Sequence, residues 1–194
     1  MSLTRRTDTR SGVAAVEFAI LLPLLIMLFV ATAELVLHIR TWFRLERTAA
    51  EVTNAASQAE ALTVNDVAGL FDAARAIAAP VLAWSSGPGL PRARTIIGVV
   101  SGTAAGNVVR WSCSRGDAGL ANLIAGKAAL PNGFQVPAGQ SVLVTEVVNS
   151  ATPWSIMSAA APVFFGRVGP GPIRTYAIMR PRQAELTSIG GACP

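Results

Sequence analysis

The chain has 194 residues, 52% of them hydrophobic and only 14% charged. A globular domain usually carries about 25% charged residues, so this length accommodates one modest core plus a membrane segment. The net charge of +5 comes from arginines, with Lys127 the sole lysine, and outside the N-terminal third they cluster only at Arg174, Arg180 and Arg182. Nucleic-acid binding wants a basic stripe with aromatics interleaved, and this scatter argues against it.

Residues 1–12 read as a basic leader. From Val13 to Ala33 the only charge is Glu17. At 1.5 Å per residue this run spans about 30 Å, the thickness of a bilayer core. Pro23 lies within it and removes one backbone hydrogen bond, so a local kink or softening is expected; membrane helices tolerate this where neighbours satisfy the freed carbonyl. Orientation does not follow from charge, because Arg5, Arg6 and Arg10 before the run balance Arg40, Arg44 and Arg47 after it.

The helical pattern does not stop at the membrane. Leu35, Ile39, Trp42, Leu45, Ala49, Val52, Ala56 and Ala59 step by three or four residues, an amphipathic stripe. A helix from Val13 to about Glu60 would be roughly 70 Å long, a stalk whose lower half needs lipid or partner helices and whose continuation past Leu35 is expected to pack against other helices above the membrane. Trp42 and Phe43, with Arg40 and Arg44, suit a membrane interface. The expected layout is a leader at 1–12, a spanning helix at 13–37, an amphipathic stalk at 38–62 and a head at 63–194.

Thr63 followed by Asp66 reads as a weak relative of the capping box, opening a second helix that ends at Pro80. The loop Ser85–Pro91 marks the change to β sequence. Segments 94–101 and 107–114 are rich in Val and Ile and read as a hairpin with a loose turn over 102–106. A short helix is expected over 117–130, then turns at Pro131–Gly133 and Pro137–Gly139. Segment 141–149 is the strongest strand signal, and 156–165 is an apolar stretch too short to span a membrane. After a turn at 169–172 comes a last strand, 173–179. The fold class is α+β: one long N-terminal helix, a second helix and a small antiparallel β-sheet head.

Chemistry is hard to place in this chain. His38 is the only histidine, so no Ser-His-Asp or Cys-His arrangement can be built in the head. Metal-ligand spacing, a P-loop and a dinucleotide fingerprint are missing from the pattern. No catalytic residue, metal or cofactor is expected, and the protein reads as non-enzymatic. Glu146 lies in the Val-rich strand, where an outward-facing acid is the plain reading and a perturbed acid the alternative. Cys113 and Cys193 allow a single disulfide, with two free thiols as the alternative. Export to an oxidising compartment favours the bridge.

Glu17 asks for a reason. An acid at the centre of a membrane helix costs about 2.5–3.5 kcal/mol on insertion scales, and less near an end. It is either a tolerated interfacial residue or the partner of a cation. No basic side chain shares its helix face within the apolar run. A free amine at Val13, made by cleavage after Gly12, would be such a cation, on this chain or a neighbour.

Gly12 followed by Glu17-Phe18 and an apolar run resembles a type IV prepilin N-terminus. The stretch Arg10-Ser11-Gly12-Val13-Ala14-Ala15-Val16-Glu17-Phe18-Ala19-Ile20-Leu21-Leu22-Pro23-Leu24-Leu25 closely resembles the start of the TadE-like proteins, pseudopilins of the tight-adherence (Tad/Flp) pilus. The likeness is specific over about Gly12 to Ala50. In the head, Val142–Val148 followed by Thr152-Pro153-Trp154, and the closing Met179-Arg180-Pro181-Arg182, are similar to that family more loosely. The resemblance implies a pilin-like minor pseudopilin cut after Gly12 by a prepilin peptidase. It implies an N-terminus in the cytoplasm and a head outside. Partners would be other pilins and inner-membrane assembly proteins, with Glu17 and Phe18 at the assembly contact.

Two other readings compete. A signal peptide cut after Ala33 would release a secreted globular protein, since Ala31-Thr32-Ala33 is a fair cleavage site. A DNA-binding pilin would use Arg174, Arg180 and Arg182.

Overall fold

The structure is a computed structural model and describes residues 9–82, 92–120, 124, 130–150 and 172–193. In chain order these form α1 (Thr9–Ser57), α2 (Val64–Ala78), β1 (Ala93–Thr103), β2 (Gly106–Gly116), a 3-10 turn at Pro131–Gly133, β3 (Ser141–Asn149) and β4 (Ile173–Met179). The α+β layout is the one expected. The chain divides into two compact units at Leu37/His38, and each is described on its own.

The first unit contributes the N-terminal part of α1. Helix begins at Thr9, earlier than the expected Val13, and continues through Pro23 without a break. The large apolar side chains from Val13 to Phe29 are exposed. By length and composition, an exposed apolar run of this kind is long enough to cross a membrane. An 18-residue window here has a mean hydropathy of 2.7 and no buried residue.

The second unit is built around the rest of α1. Leu45, Ala49, Val52 and Ala56 are buried, at steps of four, three and four residues, which is one face of a helix. Thr48 and Thr53 flank this stripe and turn their hydroxyls back on the carbonyls of Arg44 and Ala49, at 2.8 and 2.7 Å. Buried hydroxyls are thereby satisfied within the helix. This is where the expectation of partner helices needs correcting. From Leu45 onward the stripe joins the core of its own head.

A turn at 58–63 reverses the chain into α2. The capping box is complete: the Asp66 N–H donates to the Thr63 hydroxyl, and the Thr63 N–H donates to the Asp66 carboxylate at 2.8 Å. The Thr63 hydroxyl also donates to that carboxylate at 2.7 Å. Val67, Phe71, Ala74 and Ala78 form the buried face of α2. The Arg44 guanidinium donates to the Ala79 carbonyl at 2.7 Å, so the end of α2 returns beside the second half of α1.

The sheet is fully antiparallel, in the order β2-β1-β3-β4. Alternation along the strands sends Ile97, Val99, Trp111, Cys113, Leu143, Val147 and Ile173 to the helices. Ile96, Val100 and Val144 face a second cluster, closed by Ile124, Leu130 and Val136. Both faces of β1 and β3 are therefore covered, which is why these strands read as near-continuous Val and Ile. In β2 the register shifts so that Val99 meets Trp111 while Val100 meets Val109, leaving Arg110 as a bulge.

The hairpin turn is tighter than expected. Thr103 pairs with Gly106, leaving only Ala104 and Ala105 as turn residues. Gly102 is needed for another reason: a Cβ there would lie 2.0 Å from the Val136 carbonyl oxygen of the segment crossing over it. Gly116 ends β2 at φ 111, where a side chain is strained. Of the helix expected over 117–130, the described part is a turn at Asp117–Leu120 together with the buried Ile124 and Leu130, and residues 121–123 and 125–129 lie outside the described residues. The loop expected over 85–91, the apolar stretch 156–165 and the turn residues 169–171 also lie outside them.

Phe71 is fully buried where the two helices meet the sheet. Phe71→Ala is expected to cost about 3–5 kcal/mol of stability, read from denaturant unfolding of the full chain in detergent. A loss below about 1 kcal/mol would contradict this packing. Two acids also tie the fold to pH. Hydrogen bonds from the hydroxyl and then the backbone of Thr63 hold Asp66 below its usual 3.8. Asp117 lies below the same value through its bond to Arg92, then the Gly119 N–H. Depressed carboxylates contribute stability that is complete above the unfolded pKa and is lost as pH falls through the folded one. Thermal melting of the head should therefore fall off on acidification below about pH 4, and Asp66→Asn with Asp117→Asn should flatten that decline.

Candidate functional site

The N-terminal residues singled out by sequence all lie on α1. Gly12 is within the helix, and a Cβ built on it meets nothing within 4 Å. The fold therefore has no steric need for glycine at that position. Val13 and Phe18 are 60% and 59% exposed. Glu17 is exposed and has no ion-pair partner among the described residues. Val13 and Glu17 are four residues apart, one turn along the same face. A terminal amine at Val13 would stand about 6 Å of helix rise from the Glu17 position. The arrangement offers one acid and a long apolar surface, which suits helix–helix and helix–lipid contact.

The same helix bears on the competing cleavage site. Ala31 to Glu34 lie inside α1, and Glu34 is buried. Signal-peptide processing needs an accessible peptide, and an unbroken helix with a buried residue at the cut gives poor access.

In the head, Cys113 and Cys193 are joined, with Cα atoms 5.3 Å apart and a sequence separation of 80. This bridge secures a feature that sequence reasoning missed, a C-terminal strap from Arg180 to Cys193. The Arg182 N–H donates to the carbonyl of Ser57, the last residue of α1, at 2.9 Å. Its guanidinium donates to Asn54 at 2.9 Å. Leu186 is buried in the main core, and its carbonyl accepts from the Trp111 indole at 2.8 Å. Ser141 hydrogen-bonds Glu185. Gly190 then pairs with Thr63 as a parallel bridge, beside the start of α2. Little in the polar, irregular sequence of 180–193 signals this, since hydrogen bonds to carbonyls leave no side-chain pattern.

Glu146 does not face outward. It is fully buried on β3, and Arg174 of β4 forms an ion pair with it at 3.3 Å. The reading failed because β3 is covered on both faces, so no solvent face was available to an acid. With Arg174 paired to Glu146 and Arg182 bonded to α1, the arginine cluster considered for DNA is largely committed to the head itself. Among the described residues, no group of His, Cys, Asp and Glu is placed to hold a metal ion.

These features define a class: an α+β head carried on one exposed apolar helix of membrane length. Residues 12–59 match the family model described as TadE-like protein, the family whose likeness the N-terminal residues carry, and the match covers α1 from Gly12 and stops before α2. No curated protein and no solved structure matches. The match indicates a pilus-related protein.

Replacing the exposed Cys193 by serine opens the bridge without leaving a cavity. By the chain-entropy account it should cost on the order of 4 kcal/mol, seen as a lower denaturation midpoint. Equal midpoints for both proteins, and equal thiol labelling of the parent chain with and without reductant, would argue against the bridge.

Proposed function

We propose that this chain is a minor pseudopilin, a non-enzymatic assembly subunit of a Tad-type pilus or a related secretion machine. Residues 1–12 form the cytoplasmic leader, 13–37 span the inner membrane, 38–62 lead out of it, and 63–194 build the extracytoplasmic head. A prepilin peptidase cuts between Gly12 and Val13. The mature subunit packs beside other pilins through the exposed helix, with Glu17 facing a terminal amine and Phe18 beside it.

The observation that carries this reading is the exposed apolar run of α1 starting at Gly12, inside the segment that matches the TadE-like family. The glycine that the fold does not need, and the acid without a partner at the fifth mature position, support it. A secreted protein cut after Ala33 fits less well, because α1 continues through that site.

Sequencing the N-terminus of protein purified from its own host tests the proposal. Val13 is the expected first residue, and a start at Glu34 or an intact Met1 would contradict it. Gly12→Ala should slow processing, and Glu17→Ala should reduce pilus assembly while leaving membrane insertion intact. Normal piliation in the Glu17→Ala strain would sink the pairing of acid and amine.

A further inference from the structure

Just past the apolar run, α1 carries three arginines at helical spacing. Arg40, Arg44 and Arg47 are separated by four and three residues, with Phe43 among them, so they share one face. All three are exposed. Arg40 has no hydrogen-bond or ion-pair partner among the described residues. Arg44 uses one nitrogen on the Ala79 carbonyl and keeps the others. Arg47 is bonded to Glu51 at 2.6 Å, higher on the helix.

Between α1 and the end of α2 this face opens into a notch of about 490 Å³, lined by Phe43, Arg44, Arg47, Glu51 and Ile77. Two guanidinium groups and two apolar side chains share one concave surface. The Phe43 ring is backed by that of Trp42, with centroids 5.1 Å apart.

We propose that this notch, with Arg40 below it, binds the phosphate headgroup of an anionic phospholipid in the leaflet on the head side. The inference rests on α1 spanning the membrane. Arg40 and Arg44 follow Leu37 by about 5 and 10 Å of helix rise, and a headgroup layer is about 5–8 Å deep on each side. Helical side chains tilt toward the N-terminus, and arginine stems reach back along apolar surface, so both guanidinium groups come down to phosphate level. The planar fork of arginine matches two phosphate oxygens at once. Phe43 and Ile77 give the glycerol backbone and first methylenes an apolar wall, and aromatic residues favour this depth. Glu51 neutralises Arg47, which leaves Arg40 and Arg44 as the anion-binding pair.

The full chain is reconstituted in nanodiscs of equimolar phosphatidylcholine and phosphatidylglycerol, extracted, and its retained lipids are counted by native mass spectrometry. Phosphatidylglycerol should be enriched over bulk, with each arginine contributing about fivefold. Arg40→Gln, which breaks no contact in the fold, should lower the enrichment several-fold. Arg40→Gln with Arg44→Gln should return it to the bulk ratio, and the two lysine variants should keep part of it. Arg180→Gln, exposed on the strap, should leave it unchanged. Bulk composition in the parent chain, or unchanged enrichment in the double glutamine variant, would overturn the proposal. Loss of the enrichment with free inorganic phosphate would show a phosphate site and overturn the lipid assignment. Insertion into pure phosphatidylcholine discs is scored separately: insertion without enrichment removes this inference alone, whereas failure to insert removes the membrane-spanning reading as well.

Discussion

The head depends on the burial of one face of α1. Leu45, Ala49, Val52 and Ala56 lie in the same core as Phe71 of α2 and Ile97, Leu143 and Val147 of the sheet. Each buried Val or Leu side chain contributes about 1.5–3 kcal/mol, and this row shares with α2 the covering of the helix-facing side of the sheet. One continuous helix thus presents two kinds of apolar surface. Toward its N-terminus its large apolar side chains are exposed, and from Leu45 on one face lies in the core of a globular fold.

The C-terminal strap closes what that packing leaves open. The last carbonyls of a helix have no partner within it, and at the end of α1 the Arg182 backbone supplies one to Ser57. The Leu186 carbonyl accepts the Trp111 N–H, which needs a partner once the ring is buried. The bridge from Cys193 to Cys113 then holds the strap at the β2 edge. A segment with little apolar content of its own is kept in place by hydrogen bonds and a covalent link at its end.

Charge in the head is used locally. Arg92 binds Asp117, Arg174 binds Glu146 and Arg182 binds Asn54. The exposed face of Arg40 and Arg44 also carries charge with no acid partner among the described residues. Its place, directly after the apolar run, fits contact with the headgroups of a bilayer better than contact with a distant polyanion.

Much of this was legible in the chain itself. The membrane-length run, the stripe from Leu45 to Ala56, the capping box at Thr63 and the strand at 141–149 follow from period and local chemistry, which act over a few residues. The likeness from Gly12 to Ala50 was legible too, because its residues are contiguous. Tertiary structure decided what period does not encode. It assigned the upper stripe to the chain's own sheet, since a helical pattern shows which face is apolar and is silent on what covers it. It buried Glu146, since a strand covered on both faces has no alternation to announce the acid's surroundings. It also bound the strap to α1 and β2, since contacts between residues 57 and 182, or 111 and 186, depend on a path through space that sequence neighbours do not record.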